Sequence, residues 1–92
     1  MKINFYATLR DVIGHKTVEL PIPPQTTVQG MLDAVLARHP GLRPHLYDEH
    51  GARYPHVHIF INGRDAQYLD NGFGTVIGPT DTVNIFPPVG GG

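Results

Sequence analysis

Ninety-two residues, 40% hydrophobic, 16% charged and 9% aromatic, provide for one small core and exclude a second domain. Seven Lys and Arg against eight Asp and Glu leave a formal charge of -1 at pH 7, so there is no basic field to hold a nucleic-acid backbone, and nucleic acid is not expected as a partner. The absence of cysteine removes disulfides, thiolate metal sites, a cysteine nucleophile and any persulfide carried on a side chain.

No apolar run approaches the roughly 18 residues of a membrane span, and no signal core precedes the first strand-like residues, so no membrane partner is expected and the expected location is the cytoplasm. Eleven Gly and nine Pro fall at element boundaries and not in one low-complexity block.

Residues 2 to 7 alternate, with Ile3, Phe5 and Ala7 on one face and Lys2, Asn4 and Tyr6 on the other, which predicts a half-buried strand. A polar stretch through Arg10, Asp11 and Gly14 follows. Lys16 to Leu20 alternates again and stops at Pro21, Pro23 and Pro24, so these two strands are expected to form a hairpin. Thr26 with Gln29 three residues later fits a capping box, and Val28, Met31, Leu32, Val35 and Leu36 follow at i, i+3, i+4, i+7 and i+8. This predicts an amphipathic helix ending near His39, because Pro40 restricts the residue before it.

From Leu42 to Pro55 the pattern predicts at most a short helical turn and a loop. Val57, Ile59 and Ile61 then face away from His56, His58 and Phe60 on a third strand, and Asn62-Gly63 is a two-residue hairpin turn. Asp65 to Leu69 is expected to return as a short strand, Asp70 to Gly72 to turn, and Thr82 to Phe86 to form the last strand before Pro87-Pro88.

The order β-β-α-β-β-β buries both apolar surfaces by laying the helix across one face of a mixed sheet, which is an α+β, β-grasp roll. Its first and last strands are expected to lie parallel in the centre, with the sheet's other face open. The expected core is Ile3, Phe5, Val18, Val28, Met31, Leu32, Val35, Leu36, Val57, Ile59, Ile61, Val83 and Ile85. Residues 1–86 are assigned to this domain and 87–92 to a flexible C-terminal tail.

The chain ends Phe86-Pro87-Pro88-Val89-Gly90-Gly91-Gly92. Two prolines bias the exit towards a stiff, polyproline-like segment, and three glycines fit a channel too narrow for a side chain. Four extended residues from Val89 reach about 13 Å, and the reactive group they deliver is the Gly92 carboxylate.

With Phe5-Tyr6-Ala7-Thr8-Leu9-Arg10 near the start, Ile61-Asn62-Gly63, and Asp81 through Gly92, the whole chain resembles the MoaD and ThiS sulfur carriers, which are ubiquitin-like. The Phe-Pro-Pro-Val ending is more similar to MoaD, although Gly90 stands where MoaD proteins often carry alanine or serine. The long 41–55 segment is similar to a CysO-like subgroup, whose members supply sulfur for cysteine or specialised metabolites.

The resemblance implies a carrier without catalytic activity of its own. A ubiquitin-activating-enzyme-like adenylyltransferase would use ATP to adenylate Gly92, and a sulfurtransferase or other sulfur donor would convert the terminus to a thiocarboxylate. A sulfur-accepting enzyme would then take the sulfur. That acceptor would be the large subunit of molybdopterin synthase, whose small subunit this chain would be, or a cysteine-synthase-like enzyme. The tail also suits an alternative function, that of a ubiquitin-like protein modifier, in which an activated Gly92 forms an amide with a target lysine instead of receiving sulfur. No bound cofactor is expected.

Tyr6, Phe60 and Phe86 fall on the open sheet face beside the tail exit and, with Pro87, Pro88 and Val89, are the candidate partner-docking residues. Gly90 and Gly91 form the lead to Gly92. His39, His45, His50, His56 and His58 lie within one twenty-residue window, but their spacing matches no closed zinc set, so no metal site is assigned and solvent-facing histidines are expected.

Overall fold

Residues 1–87 are described by a computed structural model, and Pro88, Val89, Gly90, Gly91 and Gly92 lie outside the described residues. Strand β1, Lys2–Phe5, lies inside a five-stranded sheet, flanked on one side by the edge strand β2, Thr17–Glu19, and on the other by the central strand β5, Val83–Phe86. Beyond β5 lie β3, His58–Ile61, and the two-residue β4, Arg64–Asp65, so that the order across the sheet is β2-β1-β5-β3-β4.

β1 and β5 run parallel, with Ile3, Asn4 and Phe5 opposite Val83, Asn84 and Ile85. Every other pairing is antiparallel. A parallel pair cannot be joined by a tight turn, and here the whole rest of the chain serves as the crossover. The result is the β-grasp roll expected from the element order.

The main helix α2, Val28–Arg38, buries Val28, Met31, Leu32, Val35 and Leu36 against the sheet. Its cap differs from expectation. Thr27, not Thr26, is the N-cap, and its side-chain oxygen accepts from Gly30 N–H at 3.0 Å. The Thr26 hydroxyl instead donates to the Pro23 carbonyl at 2.6 Å, and the Gln29 amide reaches Asp33 at 3.0 Å, so no capping box forms.

β1 stops at Phe5, two residues earlier than its alternation predicts, and a short helix α1, Thr8–Ile13, fills what reads as a polar loop. Beyond Leu9 and Ile13 it offers little inward apolar pattern, yet Leu9 is fully buried. β1 and β2 therefore pair antiparallel as expected but are joined by a helix. Gly14, at φ 87°, ends α1 in the left-handed region, where its N–H donates to the Arg10 carbonyl at 2.8 Å.

The 41–55 segment is more ordered than its sequence indicates. A 3₁₀ turn over Pro40–Leu42 runs into α3, Arg43–Leu46, and the pair buries Leu42 and Leu46. The Asp48 carboxylate accepts from His50 N–H at 2.8 Å and Ala52 N–H at 3.0 Å, closing the loop that follows.

Asn62 and Gly63, at φ 52° and 83°, form the tight turn that sets Ile61 opposite Arg64. The expected return strand through Leu69 ends at Asp65, whose carboxylate accepts from Gln67 N–H and starts a 3₁₀ turn over Ala66–Tyr68. A second such turn, Gly72–Gly74, stands where a turn is expected.

Twelve residues of the expected core are buried, while Val18 on the edge strand is half-buried. Met1, Leu9, Leu20, Leu42, Leu46, Ala66 and Ile77 join them. Among the described residues no helix is long and apolar enough to cross a membrane.

Candidate functional site

The face of the sheet opposite α2 carries the side chains that alternate with the core. On β5, Val83 and Ile85 point inward, so Asn84 and Phe86 point out, and on β3 the same rule turns His58 and Phe60 outward. The antiparallel register sets His58 opposite Phe86 and Phe60 opposite Asn84. Tyr6 follows β1, and its N–H donates to the Ile85 carbonyl at 3.3 Å.

These placements bring the three candidate aromatic residues together. Tyr6 lies nearly parallel on Phe86, with centroids 4.2 Å apart and 12° between planes, and Phe60 meets Phe86 edge-on at 5.5 Å and 90°. Each of the three is half-buried. Both geometries are favourable arrangements of ring quadrupoles. Lys16 sits 5.4 Å from the Tyr6 centroid, at the outer rim. Pro87 continues directly from Phe86, so the stack stands at the root of the C-terminal segment. The remaining candidates, Pro88, Val89, Gly90, Gly91 and Gly92, lie outside the described residues.

A polar ladder runs from this stack across the sheet. The Tyr6 hydroxyl and the Asn4 amide both donate to Asn84 Oδ1, each at 3.0 Å, and the Thr17 hydroxyl donates to Asn4 Oδ1 at 2.7 Å. It leads into an open groove of about 540 Å³ lined by Lys2, Asn4, Thr17, Glu19 and residues 79–82. Sequence reading missed this ladder: the outward position of Asn4 is legible, but its partnership with Asn84, eighty residues away, exists only in the parallel register of β1 and β5.

On the other flank, His58 Nδ1 meets Asp65 Oδ2 at 3.0 Å. Burial pushes the Asp65 carboxyl up, but hydrogen bonds from His58 and from the Gln67 backbone and side chain, with the His58 charge, outweigh it and hold the group below the usual carboxylate range. His58 also tilts against Phe60 at 6.1 Å. It is thus not simply the solvent-facing histidine expected, because strand pairing brings Asp65 beside it. Among the described residues no three His, Cys, Asp or Glu side chains gather to hold a metal ion.

The open face of this β-grasp sheet thus carries an aromatic stack directly ahead of Pro87. The family model described as ThiS matches residues 3–92. The chain belongs to the ThiS family.

Within and around that family it is 36% identical to the small archaeal modifier protein 3 of Haloferax volcanii, over 100% of this chain and 98% of that protein. It is 32% identical to the crystal structure of SAMP1 from Haloferax volcanii, with TM-score 0.85, covering 100% of this chain and 98% of that one. The crystal structure of the Amycolatopsis orientalis BexX/CysO complex contains a chain 27% identical, with TM-score 0.77, covering 99% and 98% of the two chains. This ThiS-family member is therefore similar both to proteins named as modifiers and to a chain of a complex named BexX/CysO.

Proposed function

We propose that this protein is a ubiquitin-like sulfur carrier whose Gly92 carboxylate is adenylated and then converted to a thiocarboxylate. The observation that carries the reading is the Tyr6–Phe86–Phe60 stack set immediately ahead of Pro87 on the open face, which supplies a docking surface at the root of the segment to be presented. The chain offers no cysteine, so the terminus is the group left to bear sulfur.

The chemistry is simple to balance. A carboxylate oxygen of Gly92 attacks the α-phosphorus of ATP, and pyrophosphate leaves. The carboxylate, a poor electrophile, becomes an acyl phosphate with a good leaving group. Hydrosulfide released by the sulfur donor then attacks the carbonyl carbon, the acyl C–O bond breaks, AMP departs and the thiocarboxylate remains. The adenylyltransferase supplies catalysis, while this protein supplies orientation. Molybdopterin synthesis, with this chain as small subunit of the synthase, is the acceptor pathway favoured by the Phe-Pro-Pro-Val ending. The likeness to the CysO chain favours a cysteine-synthase-like acceptor.

A second reading, conjugation of Gly92 to target lysines, is supported by the full-length similarity to two proteins named as modifiers, at 36% and 32% identity. One experiment separates the two. The protein is isolated from its own cells and its intact mass is measured beside an immunoblot. A carrier gains the mass difference of one sulfur for one oxygen at the C-terminus, whereas a modifier appears in high-mass conjugates. ATP–pyrophosphate exchange with the cognate adenylyltransferase should vanish on deletion of Gly92, because the lead shortens by about 3.5 Å. Undiminished exchange by that variant refutes both readings.

A further inference from the structure

We infer that Thr17, Asn4, Asn84 and Tyr6 form a two-state hydrogen-bond switch across the open face, in which both amides turn end for end together and reverse what the two terminal hydroxyls offer. The switch is a property of the free chain and goes beyond the carrier reading.

In the first state the Thr17 hydroxyl donates to Asn4 Oδ1 at 2.7 Å, and the Asn4 amide and the Tyr6 hydroxyl both donate to Asn84 Oδ1 at 3.0 Å. The strand register holds these side chains side by side, with Asn4 opposite both Thr17 and Asn84. The oxygen and nitrogen ends of an amide are nearly equal in size, so a half-turn of both amides keeps the same three contacts. Asn84 Nδ2 then donates one hydrogen to Asn4 Oδ1 and the other to the Tyr6 hydroxyl oxygen, while Asn4 Nδ2 donates to the Thr17 hydroxyl oxygen.

Turning one amide alone fails. It sets donor against donor or acceptor against acceptor at the 3.0 Å contact between Asn4 and Asn84, which is partly buried. Each amide therefore dictates the orientation of the other. The hydroxyls at the two ends follow freely, because neither has a second side-chain or backbone partner among the described residues.

In the first state both terminal hydroxyls spend their hydrogen inside the ladder and show only lone pairs outward; in the second both are free to donate. Thr17 and Asn4 line the open groove of about 540 Å³, whereas Tyr6 stacks on Phe86 ahead of Pro87. An acceptor that binds the Thr17 hydroxyl in the groove thus favours the second state and turns Tyr6 into a donor, and the converse holds by linkage. Since the two states make equal numbers of bonds, one added hydrogen bond decides which is populated. On the docking reading above, the same Tyr6 hydroxyl can then serve one partner as an acceptor and the next as a donor with no change of fold.

Nuclear Overhauser contacts of the side-chain amide protons in the free, full-length protein read both orientations. The first state sets the Asn4 amide protons against Asn84; the second sets them against Thr17 and sets the Asn84 amide protons against Tyr6. Wild type should show both sets. Thr17→Asp, at an exposed edge-strand position, offers Asn4 only an acceptor and should move the ratio about tenfold towards the second state, at Tyr6 as well as at residue 17. Thr17→Asn, which has the same size without the charge, should keep both sets. Asn84→Asp offers only acceptors from the middle of the ladder and should drive Asn4 the other way, erasing its amide contacts with Thr17. A single set of contacts in wild type that Thr17→Asp leaves unchanged shows a fixed ladder and overturns the inference. A turn of Asn4 in Thr17→Asp that Asn84 does not follow, or contacts of the Asn4 amide with Thr17 that persist in Asn84→Asp, overturn it too. None of these results bears on the carrier reading, which stands or falls with the Gly92 deletion.

Discussion

Replacing Ala7 with glycine should stabilise the domain, although removing a side chain from a structured position ordinarily does the reverse. Ala7 sits at φ 53° and ψ -129°, where an L-residue's Cβ collides with its own backbone and glycine alone is at ease. Holding alanine there costs about 1–3 kcal/mol. Glycine loses about 0.4–1 kcal/mol through the greater freedom of the unfolded chain. Because Ala7 is exposed, deleting its methyl forfeits little packing.

The balance is a gain of about 1 kcal/mol, which for a domain of this size raises Tm by roughly 4–8 °C. The strain persists because both sides of the residue are pinned: Tyr6 N–H is tied to Ile85 in β5, and Leu9, the second residue of α1, is fully buried. Urea denaturation followed by circular dichroism measures the effect. A midpoint for Ala7→Gly equal to or below that of wild type, at unchanged slope, would refute the strain assignment.

Leu46→Ala should cost about 2–5 kcal/mol, since Leu46 is 1% exposed and α3 belongs to the core; an unchanged urea midpoint would place the 43–46 segment outside it. Phe86→Ala should weaken adenylyltransferase binding by about 2 kcal/mol while the fold survives, as read by calorimetric titration and by circular dichroism. Stability should fall in acid. The Gly78 N–H and the Asn62 amide hold the Asp81 carboxyl below its ordinary 3.8, so the stabilisation is complete above that value and disappears as pH drops through the lower folded value. Asp81→Asn should therefore be less stable than wild type near neutral pH and lose less on acidification, which urea midpoints across the acid range would show.

Periodicity alone makes most of the architecture legible in the sequence. Val28, Met31, Leu32, Val35 and Leu36 could share a face only on a helix, and Val57, Ile59 and Ile61 only on a strand, because side-chain direction repeats with the local backbone geometry. Asn62-Gly63 announced its own turn for the same reason: both residues tolerate the left-handed backbone that joins β3 to β4. The outward positions of Tyr6, Phe60 and Phe86 followed from alternation, and the proline and glycine ending of the chain was visible directly.

Short elements were a different matter. α1 and α3 hold one buried residue each, too few to make a pattern, and they are helical because Leu9 and Leu46, with Leu42 of the preceding 3₁₀ turn, find room in the core once the sheet and α2 are assembled. The choice of Thr27 over Thr26 as cap likewise turned on a neighbour, the Pro23 carbonyl that engages Thr26. Long-range register decided the site. Asn4 meets Asn84, Tyr6 stacks on Phe86 and His58 reaches Asp65 only because strands far apart in the chain lie side by side, and periodicity reports which face a residue takes without reporting what stands next to it there.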